Sequence, residues 1–227
     1  MSQPGGQRMN QARRDIAVME NAHVEEAYAR WAPVYDLAFT AIMAPGRRAA
    51  VAAAQRRGGL ILDVGVGTGL ELPMFDADVK LVGVDLSEPM LRRAQTRVSS
   101  RNLRQVAGLC VMDATRLAFP SANFDAVVAP FVLTVVPDPA ATLDELARVV
   151  KPGGEIVLVN HVGADSGPIA WIERWLGNHS ASLGWRPEFP WAILGDWIAS
   201  RPDLHLVERR KIAPLGLFTL TRIERLK

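Results

Sequence analysis

The amino-acid sequence predicts an α/β protein built on a mostly parallel sheet. Nearly continuous apolar segments, such as 60–64 and 155–160, alternate with amphipathic ones, a pattern typical of parallel strands covered on both faces by helices. A glycine-rich turn follows the first of these segments. The segments "LHLVERRKI" and "GLFTLTRIER" flank Pro214 and Gly216 and predict a closing antiparallel pair. A chain of 227 residues, 49% of them hydrophobic, suits one such domain with appendages.

The elements alternate regularly through the middle of the chain. The turn at 65–69 is predicted to lead into a helix that reaches about Phe75. Ser87 is a candidate N-cap for a helix at 88–98, and "KPGG", after a helix at 139–150, predicts a turn back into the sheet. The predicted strands are residues 60–64, 80–85, 105–113, 124–130 and 155–160.

Two further segments lie outside this alternation. Residues 8–57 predict two or three helices, broken at Pro33 and at 44–46, and residues 163–200 contain five of the six tryptophans. We therefore predict four regions. They are N-terminal helices at 1–57, a core at 58–162, a tryptophan-rich helical insertion at 163–200 and a closing strand pair at 201–227.

Composition and charge exclude several classes of protein. Cys110 is the only cysteine, so no internal disulfide can form, and its apolar surroundings predict a buried thiol. We find no signal peptide, no membrane-spanning segment and no metal-binding motif, and we expect a cytoplasmic protein. Residues 1–60 and 201–227 are net basic, whereas 61–200 carry eleven basic and sixteen acidic side chains. These charges are either simply solvated, or the two ends meet an anionic lipid surface or nucleic acid.

The glycine-rich turn predicts a bound nucleotide-type cofactor. Gly65, Gly67 and Gly69 have the spacing G-x-G-x-G, whereas the dinucleotide fingerprint G-x-G-x-x-G places its third glycine one residue later, where this chain has Leu70. No lysine follows the glycines, which excludes a phosphate-binding P-loop. The spacing therefore argues against a nicotinamide-dependent oxidoreductase.

Acidic residues lie at the ends of the first three predicted strands. Asp63 precedes the glycines, Asp85 ends the second strand and Asp113 ends the third. Open parallel sheets bind ligands at this edge, where one acid can accept from both ribose hydroxyls and another from an adenine amine. Each acid taken alone could equally be a helix cap or a loop charge.

Together these residues resemble the class I S-adenosylmethionine-dependent methyltransferases over roughly residues 25–160. The first motif of that family, an acid followed by x-G-x-G-x-G, is matched by Asp63 to Gly69, and its second-strand acid by Asp85. The segment "MDATRLAFPSANFDAVV" is similar to the family's adenine loop and fourth strand, and "LARVVKPGGEIVLV" to the lead into strand five. The resemblance implies a Rossmann-like fold with a seven-stranded sheet and S-adenosyl-L-methionine as cofactor, released as S-adenosyl-L-homocysteine.

The resemblance also implies roles for individual residues. Asp63 and the backbone of Gly65 and Gly67 would hold the methionine end, Asp85 the ribose, and Asp113 with the Ala114 amide the adenine. The further cofactor-binding residues that it implies are Tyr28, Thr68, Leu86, Met112 and Ala129.

Three segments point to the substrate. "YARWAPVYD" at 28–36, "APFVLTVVPDP" at 129–139 and "LVNHVG" at 158–163 resemble the soluble bacterial phosphatidylethanolamine N-methyltransferases, and are shared in part with quinone-ring methyltransferases. The first segment contains both tyrosines of the chain, Tyr28 and Tyr35. It either packs as a lid on the sheet or presents a phenol to the reacting methyl group.

Methylating an amine requires a neutral nitrogen, and a primary ammonium with a reference pKa of about 10.4 is mostly protonated at neutral pH. His161 is the candidate that takes the proton, and Tyr35 the candidate that orients the amine. The methylated cation suits a wall of aromatic faces. The candidates for that wall are Tyr28, Trp31, Tyr35 and Trp185, and those for the lipid phosphate are Arg186 or the pair Arg47 and Arg48.

The N-terminal segment predicts contact with a membrane surface. Met9, Ala12, Ile16 and Met19 recur at helical spacing beside Arg8, Arg13 and Arg14, as in a short basic amphipathic helix on anionic lipid. A helix packed on the core, or a partly disordered segment, would have the same composition. The predicted membrane contacts are Arg8, Arg13, Arg14, Ile16 and Met19.

These observations predict an enzyme at the inner face of the cell membrane that methylates phosphatidylethanolamine, through mono- and dimethyl intermediates, to phosphatidylcholine. Its partners would be a phospholipid and an anionic membrane rather than nucleic acid. The alternatives are a quinone-ring C-methyltransferase and a non-enzymatic module that binds lipid or nucleic acid.

Overall fold

A computed structural model describes residues 41–160, 190–212 and 216–227. The chain divides into two units, Met1–Ala44 and Pro45–Lys227, and every strand described below belongs to the second. Among the described residues, no helix has both the length and the hydropathy needed to cross a bilayer.

In the described part of the chain, seven strands form one sheet in the order β3-β2-β1-β4-β5-β7-β6. Strands β1 to β5 are parallel, β7 runs antiparallel to β5, and β6 runs antiparallel to β7. This topology confirms the predicted parallel sheet with a closing antiparallel pair. The strands are β1 (Leu60–Val64), β2 (Lys80–Asp85), β3 (Val106–Val111), β4 (Phe124–Pro130), β5 (Val150–Asn160), β6 (Leu204–Ile212) and β7 (Phe218–Arg225).

Apolar side chains on the two faces of the sheet form two separate cores. Strand residues alternate between them: Leu62 and Leu158 belong to the first core, and Ile61 and Val159 to the second. Helices α3 (Pro139–Val149) and α4 (Trp191–Ala199) pack on the first core, whereas α2 (Glu88–Arg101) and the end of α1 (residues 41–54), from residue 49 onward, pack on the second. The strands are therefore buried on both faces, as their apolar sequences predicted.

The residues that begin and end helices α2 and α3 explain where these helices start and stop. The Asp138 side chain caps α3 by accepting from the Ala141 amide at 3.0 Å, and Pro139 occupies the first turn, where a missing N–H costs little. The residue before α2 is Ser87, but its side chain makes no capping bond; its backbone amide instead donates to Asp85. Asn102 ends α2 in the left-handed conformation.

Two local predictions were wrong. No α-helix follows the glycine turn, because Gly69 has a φ of +70° and Pro73 lacks an amide hydrogen; only a 3-10 turn, Leu72–Met74, forms. The predicted turn "KPGG" lies within β5, which already begins at Val150. The register between β4 and β5 shifts there, so the extra residues bulge out of an otherwise regular ladder.

Trp191 and Trp197 of α4 are half-buried against the first core. The Arg209 guanidinium lies 3.8 Å from the Trp191 ring centroid, and the Trp197 indole nitrogen donates to Asp144 at 2.8 Å. These two tryptophans connect α4 to β6 and α3.

The only cysteine, Cys110, is half-buried rather than fully enclosed, and it packs against the same core.

Candidate active site

The sheet order brings the three predicted acids side by side. Asp63 lies in β1, Asp85 ends β2, and Asp113 follows β3 by two residues. Because β1, β2 and β3 are neighbours and parallel, their carboxyl ends meet at one edge of the sheet, where open α/β sheets bind ligands. The structure thus brings the acids together as the sequence predicted.

The glycine turn between β1 and the following loop is shaped by contacts with β2. The amides of Gly65 and Val66 both donate to the Val84 carbonyl, at 2.8 and 3.0 Å. Gly65, Gly67 and Gly69 all have positive φ, but their surroundings differ. A Cβ at Gly65 would overlap Val132, and one at Gly69 would lie 2.6 Å from Leu72 Cδ1.

Gly67 faces open space instead. The nearest atoms to a Cβ built there are the Gly65 carbonyl oxygen and Met90 Sδ, both at 3.9 Å. Thr68, the next residue, uses its carbonyl to accept from Arg97 at 2.7 Å, which anchors the turn to α2. The turn is therefore closed on its core side and open where a ligand could approach its backbone.

Asp85 ties the turn to α2. Its Oδ2 accepts from the Gly67 amide and its Oδ1 from the Ser87 amide, both at 2.8 Å. A carboxylate oxygen has a further lone pair, so both oxygens can still accept from a diol. Leu86, directly after it, is 72% exposed, an unusual position for a leucine and one that a flat ligand would cover.

Asp113 is exposed on the loop after β3. Its Oδ1 accepts from the amide and the hydroxyl of Thr115, each at 2.8 Å, and these bonds lower the pKa of the carboxyl. One oxygen of Asp113 thus stabilises the loop, and the other is not used by these bonds. Met112 and Ala114, on either side, are half-buried against the first core.

Asp63 is the most unusual of the three acids. Its side chain is completely buried, and neither carboxyl oxygen has a hydrogen-bond partner in the part of the chain that the structure describes. Burial raises its pKa well above the ordinary value, and the negative charges of Glu71 and Asp85 raise it further. A buried carboxylate without a donor is unfavourable, so this site favours either a proton or a nearby cation.

Glu71 and Arg47 complete this buried cluster. Glu71 is 4% exposed, and burial raises its pKa to about 7 against the opposing charge of Arg47, whose Nε lies 3.6 Å from Glu71 Oε2. Two ionised carboxylates cannot hydrogen-bond to each other, but a proton on Asp63 provides a donor to Glu71. A proton on Asp63 would therefore reduce the repulsion between these two buried carboxyl groups.

The cluster fits the cationic end of S-adenosylmethionine. That cofactor carries an ammonium and a sulfonium, and this edge offers a buried carboxylate without a donor, an open glycine backbone and an acid able to hold a diol. The residues present therefore suit the group that the sequence predicted.

The end of the fourth strand lies in the interior. Ala129 of β4, which lies between β1 and β5, is fully buried. Phe131, just after β4, has a φ of +65°, which is rare for a bulky residue. Its ring is held by Phe218, with centroids 5.0 Å apart, and by the Arg47 guanidinium at 5.8 Å.

Arg47 and Arg48 were both candidates for the lipid phosphate. Arg47 is engaged with Glu71 and Phe131 in the interior, whereas Arg48 is exposed. The structure thus separates the two arginines by environment.

Sequence reasoning missed three members of this edge. Glu71 and Asn160 are buried, and Arg47, considered from the sequence only for the lipid phosphate, is half-buried as the partner of Glu71; no local sequence pattern indicates this. Asn160 ends β5, is 2% exposed, and its Oδ1 has no hydrogen-bond partner within residues 41–160, 190–212 and 216–227. A polar residue that ends an apolar strand was the available signal.

The other predicted site residues lie outside the described residues. They are the candidate lid and catalytic residues Tyr28, Trp31, Tyr35 and His161, the substrate candidates Trp185 and Arg186, and the membrane contacts Arg8, Arg13, Arg14, Ile16 and Met19.

Comparison with known proteins identifies the class. Residues 62–158 match the family described as "Methyltransferase domain". A crystal structure of a SAM-dependent methyltransferase from Aquifex aeolicus superposes with a TM-score of 0.56 at 19% identity, over 72% of this chain and 80% of that one. Fold, motifs and site together define an S-adenosylmethionine-dependent methyltransferase of class I, which confirms the predicted enzyme class and cofactor.

Two curated relatives narrow this class. A phosphatidylethanolamine N-methyltransferase of Cereibacter sphaeroides is 42% identical over 91% of this chain and 100% of its own length. A demethylmenaquinone methyltransferase of Roseiflexus sp. is 33% identical over 73% of this chain and 74% of its own length. The first relative is the more similar in both respects, and the chain belongs to the phosphatidylethanolamine N-methyltransferase family.

Proposed function

We propose that this chain transfers methyl groups from S-adenosylmethionine to the amine nitrogen of phosphatidylethanolamine, in successive steps that end at phosphatidylcholine. The main support is the 42% identity to a phosphatidylethanolamine N-methyltransferase along that protein's full length. The edge of the sheet around Asp63 and Asp85 supports the cofactor half of the reaction.

On the cofactor side, each described residue has a task that its contacts permit. Asp85 accepts from the ribose hydroxyls while its bonds to Gly67 and Ser87 keep it in place. The Asp63–Glu71 pair provides negative charge for the ammonium, and Gly65, Gly67 and Thr68 provide backbone close to it.

The adenine end is assigned to the loops after β2 and β3. The exposed Leu86 and the half-buried Met112 and Ala114 would line the ring, and Asp113 would accept from its amine. Tyr28 and the main chain of Ala129 complete the proposed cofactor contacts.

The bound cofactor supplies an electrophilic methyl group, and the chain must supply an oriented, neutral amine. Much of the rate of such an in-line displacement comes from orientation. We assign orientation of the amine to Tyr35 and removal of its proton to His161, which directly follows Asn160 at the end of β5. Trp31 and Trp185 would contact the methylated cation, and Arg186 or Arg48 the phosphate.

The substrate is a bilayer lipid, so the enzyme must reach a membrane surface. We assign this contact to the basic N-terminal segment with Arg8, Arg13, Arg14, Ile16 and Met19, lying on the inner face of the cell membrane.

Incubation with labelled S-adenosylmethionine and phosphatidylethanolamine vesicles, followed by lipid chromatography, tests the proposal. We expect label in mono-, di- and trimethylated phospholipid. Label in a quinone ring but not in phospholipid would instead favour the demethylmenaquinone-type activity suggested by the second relative.

A further inference from the structure

Three polar side chains form one row across β5, β7 and β6. Asn160 pairs with Thr219 of β7, and Thr219 pairs with Lys211 of β6. Residues directly opposite in antiparallel strands share a face, and Asn160 lies two residues after Leu158, which faces the first core. The row therefore lies on the face covered by α3 and α4, at the sheet edge that also carries the cofactor acids.

Asn160 begins the row with an unused acceptor. The side chain is 2% exposed, and its Oδ1 has no hydrogen-bond partner among the described residues. A buried amide oxygen left without a donor is costly, and such groups in native proteins usually serve a ligand or a mechanism. An N–H of a substrate is the chemical group that would satisfy it.

Lys211 ends the row with an uncommitted charge. Of the three successive cations of β6, Arg209 stacks on Trp191 and Arg210 Nε donates to Glu208 at 2.8 Å. Lys211 is exposed and forms no ion pair within the described part of the chain. Its stem passes the turn at Gly216, where a Cβ would lie 3.2 Å from Lys211 Cδ.

We propose that Asn160 and Lys211 form a subsite for the phosphoethanolamine head group, with Asn160 accepting an amine N–H and Lys211, rather than Arg186 or Arg48, pairing with the phosphate. The inference rests on the proposed function and deepens it. Strands lie about 4.8 Å apart, so the two Cα atoms are separated by about 10 Å, and the flexible lysine stem spans the remainder. Thr219, which is 4% exposed, separates the two ends of the row.

This arrangement distinguishes substrate from product. Ethanolamine and its mono- and dimethyl forms, with the nitrogen protonated, retain at least one N–H, whereas the quaternary choline has none. Asn160 can therefore hold each substrate in its protonated form, before the proton is removed, but not the final product, while Lys211 pairs with the phosphate of every head group.

Calorimetry with soluble head groups tests the subsite without a membrane. Binding of sn-glycero-3-phosphoethanolamine and sn-glycero-3-phosphocholine would be measured with S-adenosylhomocysteine present. Asn160→Leu should weaken binding of the ethanolamine compound about tenfold, since one hydrogen bond to a charged donor is lost. Binding of the choline compound should not change. Lys211→Ala should weaken both compounds by a similar factor.

Arg210→Ala is the matched control, since it removes the same charge from the adjacent position, whose partner is Glu208. It should leave both affinities unchanged. Lys211→Arg should restore most of the lost binding. The melting temperature of Asn160→Leu should not fall, because an unpartnered buried amide is replaced by an apolar side chain; Asn160→Ala serves if that variant does not fold.

The subsite is wrong if the wild type binds neither compound, or if Asn160→Leu and Lys211→Ala both bind like the wild type. If Asn160→Leu weakens binding of both compounds equally, Asn160 only packs in the site and does not recognise the amine. Failure of the wild type to methylate any phospholipid would count against the proposed function, a result that is distinct from these affinities.

Discussion

The backbone amide of Gly67 donates a 2.8 Å hydrogen bond to Oδ2 of Asp85, although the two residues are 18 positions apart in the chain. The second oxygen of the carboxylate accepts from the Ser87 amide. One side chain therefore holds the glycine turn and the start of α2 in register, and it does so beside the place assigned to the ribose.

Replacing Asp85 with Ala should weaken the binding of S-adenosylhomocysteine at least tenfold. Two hydrogen bonds to a charged acceptor contribute ~1.5–3 kcal/mol each, and the turn also loses its tie to β2. Calorimetry measures the affinity. Glu88→Ala, which removes a nearby exposed acid paired with Arg92, is the control and should bind normally. Unchanged affinity in the Asp85 variant would refute its assignment.

Replacing Gly67 with Ala should separate binding from stability. Both Gly67 and Gly69 have positive φ, so alanine strains each position by about 1–2 kcal/mol. At Gly69 the added methyl also meets Leu72, whereas at Gly67 it enters open space. Gly69→Ala should therefore lower the melting temperature more than Gly67→Ala does. Gly67→Ala should in turn weaken cofactor binding more than Gly69→Ala does. The reverse order would mean that the cofactor does not approach Gly67.

Cofactor affinity should rise with pH between about 4.5 and 7. The pKa of Glu71 is raised to about 7 by burial, so the ligand-free protein binds more protons than the unfolded chain in this range and its stability falls as pH rises. A cationic ligand beside the Asp63–Glu71 pair favours the ionised form and releases protons. Calorimetry in buffers of different ionisation enthalpy detects that release, and Glu71→Gln should reduce it. A pH-independent affinity in the wild type would exclude the cluster from binding.

Tyr35→Phe and His161→Ala should each reduce turnover strongly with little change in cofactor affinity. The reason is that their proposed partner is the amine, which must be oriented and deprotonated before it reacts. Steady-state rates and calorimetry on the same preparations distinguish the two effects. If His161→Ala alone retains activity, water takes the proton; if both variants do, the catalytic assignment fails.

Replacing Arg8, Arg13 and Arg14 together with Glu should abolish cosedimentation with anionic vesicles. Each basic residue near an anionic surface contributes about 1 kcal/mol of attraction, and the replacement turns this into repulsion. The exposed arginines Arg93, Arg101 and Arg104, changed in the same way, are the control. Activity on a monomeric lipid should fall much less than activity on vesicles. Equal loss on both would place the segment over the active site instead.

The sequence predicted the architecture well because each strand is indicated by the residues of its own short segment. Continuous apolar segments define strands buried on both faces, and parallel pairing brings the acids at the carboxyl ends of β1, β2 and β3 to one edge of the sheet. The buried cluster was not predictable in the same way, since Arg47 comes from α1 and Glu71 from an irregular loop. Their proximity depends on tertiary packing, as does the unpartnered state of Asn160.

The match to the methyltransferase family model covers residues 62–158, and Asn160, β6 and β7 lie beyond it. The cofactor half of the sheet is one contiguous stretch of chain, whereas the proposed head-group row is added from its far end and joined to the rest of the sheet through β5 alone. Exchanging β6–β7 between relatives would therefore change the Lys211 end of the row and leave the methyl donor site and Asn160 in place.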